Sequence, residues 1–77
     1  MKRAPQERQD ELKALLIRAC PETEQGKTIL ALAIQLKCSS TSIYKWIQKA
    51  TVPGKRARQI VELPGAGAVM DDFTPFL

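Results

Sequence analysis

Ser40, Thr41, Tyr44, Lys45 and Gln48 bring hydroxyl, phenol, ammonium and amide groups into one short stretch of the chain. At helical spacing they share the start and one outer side of a helix. Such groups donate and accept hydrogen bonds. The chain has no histidine, so a general base or a Ser-His nucleophile is hard to assemble. Gly26-Lys27-Thr28 has the ending of a phosphate-binding loop. That loop needs a glycine five residues earlier, where Pro21 stands, and a strand before it. The two cysteines, Cys20 and Cys38, are too few for a structural zinc site of about four ligands. They read as small buried thiols, since a cytosolic disulfide is not expected. The expectation is a binding protein and not an enzyme, with no metal and no cofactor.

What it binds is indicated by the layout of charge. The acids are Glu7, Asp10, Glu11, Glu22 and Glu24, then Glu62, Asp71 and Asp72. Between Glu24 and Glu62 lie Lys27, Lys37, Lys45, Lys49, Lys55, Arg56 and Arg58, with no acid among them. A one-sign stretch repels itself unless a polyanion is the partner, whereas a merely solvated face mixes signs. The net charge of +4 matters less than this segregation. The length of 77 residues allows one domain over 1–77, and 44% apolar content argues against disorder. No apolar run approaches the roughly 18 residues of a membrane span. Met1-Lys2-Arg3 leads into polar residues and not into a signal-peptide core. A cytoplasmic location is expected, with no membrane and no small-molecule effector.

The elements that position the polar residues read as helices. Leu12, Leu15, Leu16 and Ala19 repeat at helical spacing over about 5–19, and Pro21 disfavours continuation past Cys20. Thr28 can cap a second helix over 29–36, with Ile29, Leu32, Ala33 and Leu36 inward. Ser39 or Ser40 caps a third over 40–50, with Ile43, Trp46 and Ile47 inward. Pro53 suits the first position of a fourth over 53–63, where Ala57, Ile60 and Val61 face inward. The tail, 64–77, carries Val69, Phe73 and Phe76. It is too apolar to be free and is expected to pack on the core or on a second subunit.

Two helices meeting at a wide angle need a small residue where they touch, and Ala33 supplies it. After Leu36 the chain must turn tightly, and Cys38 plugs the angle. Leu32, Ala33, Leu36, Cys38, Ile43 and Trp46 thus resemble the helix-turn-helix pattern over Ile29–Gln48. The turn position that is usually glycine is Lys37, which must adopt a left-handed conformation at a cost of about 1 kcal/mol. In this arrangement Ser40, Thr41, Tyr44, Lys45 and Gln48 face base edges in the major groove. Lys27, Thr28, Ser39, Lys49, Lys55 and Arg56 flank the helices and suit phosphates.

The similarity extends further along the chain. Leu32-Ala33, Leu36, Ser39, Ile43, Lys45-Trp46, Val52-Pro53 and Arg56 resemble the Cro/YdaS-like regulators of temperate phages and prophages. Gly67-Ala68-Val69, Asp72-Phe73 and Pro75 echo that family's ending more weakly. The resemblance implies a transcriptional repressor binding pseudo-palindromic double-stranded DNA as a homodimer, at least on DNA. The fold expected is mostly α, a four- to five-helix domain with a central helix-turn-helix. The tail stays open between a helical turn, an arm and a short strand. Two other readings also stay open: an antitoxin-like protein-interaction module that holds its partner by the apolar tail, and a phage recombination accessory factor.

Overall fold

A computed structural model describes residues 3–24 and 26–77. Met1 and Lys2, part of the basic start, and Gln25, in the polar connection between the first two helices, lie outside the described residues. The chain forms α1 (Gln6–Ala19), α2 (Ile29–Leu36), α3 (Ser40–Lys49), α4 (Gly54–Glu62) and α5 (Met70–Phe73), closed by a 3-10 turn over Thr74–Phe76. The mostly α expectation therefore holds, and the described residues contain no strand. None of these helices is long and apolar enough to cross a membrane.

Local chemistry explains where each helix begins and ends. Pro5 stands just outside α1 as its N-cap, and Cys20 is extended ahead of Pro21. Inside α1, Leu12, Leu15, Leu16 and Ala19 are buried. Gln9 is buried beside them, and its side-chain amide donates to the Ala4 carbonyl at 2.7 Å. The Thr28 hydroxyl caps α2, accepting from the Ala31 N–H at 3.1 Å. Ser39 caps α3 in the same way, accepting from the Ser42 N–H at 3.2 Å. Pro53 is the N-cap of α4 and not its first helical residue, because its ψ of 135° is extended.

Between α2 and α3, Lys37 takes the left-handed conformation, with φ 56° and ψ 43°. The Lys37 N–H donates to the Ile34 carbonyl at 3.2 Å and the Cys38 N–H to the Ala33 carbonyl at 3.0 Å, which satisfies those two carbonyls in the last turn of α2. Ala50 ends α3 likewise, at φ 50°. The helix expected to reach Ala50 thus stops at Lys49, and this second left-handed residue has no glycine to announce it.

α1 packs on α2 and α3, α2 on α3 and α4, and α4 on α5. Leu12, Leu16, Leu32, Ile43, Val52, Ile60 and Phe73 are fully enclosed where these elements meet. Cys38 and Val61, expected inside, are only half-buried at the edge of the core. The tail is neither strand nor arm. Phe73 and Phe76 insert into the chain's own core, while Val69 is 61% exposed. Several contacts tie the tail down. The Val52 N–H donates to the Phe76 carbonyl at 2.6 Å, and Arg18 pairs with Asp72 at 3.2 Å. Arg8 donates to the Pro75 carbonyl and lies 4.6 Å over the centre of the Phe76 ring.

Candidate nucleic-acid interface

The interface is built around α3. Its inner face is given to Ile43 and Ile47, which are buried against α1 and α2. That leaves Thr41, Tyr44, Lys45, Gln48 and Lys49 exposed, Tyr44 at 46%, while Ser40 is half-buried at the capped end. The exposed side chains form two neighbouring stripes. Thr41, Tyr44 and Gln48 run along the side toward α1, and Lys45 and Lys49, beside the half-buried Ser42, along the side toward the turn into α4.

Each stripe borders a hollow. Tyr44 and Gln48 share theirs with Arg3, Gln6, Asp10 and Lys13 of the N-terminal segment and α1. The Ala4 N–H donates to the Gln48 carbonyl at 2.8 Å, which holds that segment beside the end of α3. Asp10 is the acid that lines this hollow, and the Gln6 amide donates to it at 2.9 Å. The second hollow lies between α3 and the turn into α4, with Lys45, Trp46 and Lys49 along its α3 side. Trp46 was expected inward, in register with Ile43. It is instead half-buried, because Ile43 and Ile47 already fill the space under the helix.

The residues expected at phosphates are treated unevenly by the fold. Lys27 and Thr28 are exposed at the start of α2, and Ser39 at the start of α3. Both caps hold helix N-termini, where backbone N–H groups and the helix dipole attract anions. Lys55 is exposed in the first turn of α4 but borders a separate hollow with Arg58 and Met70. Arg56 departs from the expectation. Half-buried, it donates to the Leu36 carbonyl at 3.2 Å and to the Gln59 side chain at 3.0 Å. Its guanidinium ties the end of α2 to α4 next to the strained Lys37, so it braces the turn.

Arg3, Lys13 and the open flank of Trp46 were not anticipated. Arg3 and Lys13 reach α3 only through the packing of α1 on it, which no local spacing announces. Among the described residues, no group of His, Cys, Asp and Glu side chains is clustered as a metal would need. Burial pushes the Cys20 thiol above its ordinary range, although the Thr28 backbone and Lys27 pull the other way. Comparison of the chain with models of protein families, with curated proteins and with solved structures yields no match.

Proposed function

We propose that this chain is a sequence-specific DNA-binding transcriptional regulator of the Cro type. It acts as a repressor, holding pseudo-palindromic operator DNA as a dimer with α3 in the major groove. One observation carries the reading: α3 is capped, braced on its inner face, and stands with a row of mixed donors and acceptors in the open. That row belongs to a stretch of chain with no acid between Glu24 and Glu62. A helix so presented matches the width of the major groove, and its side chains match the hydrogen-bonding edges there. The dimer rests on the resemblance, with recognition helices roughly 34 Å apart on successive grooves. Occupying a promoter is enough to exclude polymerase, so repression asks nothing more of the chain.

The interaction-module reading depended on an apolar tail free to hold a partner. Phe73 and Phe76 are buried in the chain's own core, so the two rings are not offered to one. The test separates base reading from charge. Tyr44→Ala and Gln48→Ala should each weaken binding to a preferred duplex by roughly 5- to 150-fold, the worth of a specific base contact. Binding to a scrambled duplex should scarcely change. Equal losses on both duplexes would overturn the assignment of this stripe to bases.

A further inference from the structure

Trp46 is the chain's only tryptophan, and the core leaves part of its ring uncovered. The cleft it faces is lined by Ser42, Lys45, Trp46, Lys49, Thr51 and Pro53. Its floor is apolar, its rim carries two ammonium groups, and no acid lines it. Among the described residues neither lysine enters an ion pair. The far wall is fixed in advance. The Thr51 N–H donates to the Trp46 carbonyl at 3.0 Å, and the next residue, Val52, is held by the Phe76 carbonyl. The Thr51 hydroxyl is turned to the Lys49 carbonyl at 3.2 Å.

We infer that this cleft grips the sugar–phosphate backbone of one DNA strand, the deoxyribose against Trp46 and the phosphate at Lys49. The inference rests on the proposed reading of α3 as the recognition helix. A helix about 10–12 Å across, laid in a groove about 12 Å wide, turns its two flanks toward the two backbone walls. On the Tyr44 flank the neighbouring hollow sets Asp10 against Arg3 and Lys13. On the Trp46 flank Lys45 and Lys49 stand among neutral groups with no acid lining the cleft, so this flank favours a polyanion more strongly. The alternation of an apolar sugar with a charged phosphate matches an apolar floor under a cationic rim. An acidic peptide would satisfy the lysines, but it would not be brought there by the same docking of α3. Lys45, one turn before Lys49 on the same stripe, closes the rim.

Trp46 is its own probe. The full chain is titrated with fluorescein-labelled duplex DNA, and binding is followed by the anisotropy of the label. In parallel, an unlabelled duplex is added and quenching of Trp46 emission by neutral acrylamide is measured. The expected result is that DNA shields Trp46, lowering its quenching constant in step with binding. Trp46→Leu should lower affinity about tenfold, comparable to losing one aromatic–nucleotide contact, and equally for preferred and scrambled duplexes. Lys49→Gln, a surface change that spares the core, should flatten the slope of log K against log salt by roughly 0.9. Binding by anisotropy with Trp46 still as quenchable as in the free chain would overturn the inference and leave the reading of α3 standing. Shielding by polyglutamate as strong as by DNA would overturn it in favour of an acidic protein. Absence of binding to any duplex would remove the reading itself, and the inference with it.

Discussion

Lys37 sits where the chain must reverse between α2 and α3, at φ 56°. A side chain with a Cβ is strained there, and glycine is not. Lys37→Gly should therefore stabilise the fold by about 1 kcal/mol, raising the midpoint of thermal unfolding by roughly 4–8 °C for a domain this small. A lowered midpoint would contradict the left-handed turn. This position was legible in the sequence, because the spacing of Leu36, Cys38 and Ile43 demands a turn whatever residue occupies it. Ala50, in the same conformation, was not legible: Thr51-Val52-Pro53-Gly54 announces that the helix stops nearby, but alanine gives no sign that it takes the left-handed conformation itself. The cysteines separate on burial alone: Cys20 is fully enclosed and its thiol resists ionising, while Cys38 is half-buried. A thiol-specific reagent should label Cys38 in the folded protein and reach Cys20 only after unfolding, as read by mass spectrometry of the peptides. Labelling of Cys20 first would contradict the packing of α1.

At the scale of elements, α1 to α4 announce themselves because each buries one face at helical spacing and three meet a clear stop or cap at Pro21, Thr28 or Ser39. The tail does not, because its conformation is decided by partners far away in sequence. Met70–Phe73 is a single turn of helix, too short to persist alone. It is held by Arg18 through Asp72, by the Val52 N–H through Phe76, and by Arg8 through Pro75 and Phe76. Its approach to α1 depends on Gly67, whose N–H donates to the Ala19 carbonyl at 3.3 Å. A Cβ at that position would press into the Arg18 carbonyl, a backbone atom with little room to yield. Gly67→Ala should cost about 1–3 kcal/mol in denaturant unfolding. Gly54→Ala is the matched control, since a Cβ there meets nothing within 4 Å. It should be neutral or stabilising by up to about 1 kcal/mol. Equal effects of the two substitutions would show that the tail does not lie against α1.

For the molecule as a whole, sequence and fold divide the charges between surfaces. Asp72 is taken up by Arg18, and Glu11 lies 3.7 Å from Arg8, so both acids are engaged on α1 and the tail. The exposed lysines of α3 and of the starts of α2 and α4 enter no ion pair among the described residues. The stripe from Thr41 to Gln48 was legible as a helical face. Which of its flanks a backbone would meet was not, because that depends on how α1 and the turn into α4 pack beside it. Arg56 shows the same limit, since its charge suggests phosphate while its geometry braces Leu36. The central claim is that this surface reads DNA sequence and does not merely hold DNA by charge. It is tested most directly by selecting bound duplexes from a random pool at two salt concentrations. The account predicts enrichment of one consensus with two-fold symmetry, and affinity that falls steeply as salt rises. A pool that stays random at both concentrations would contradict it.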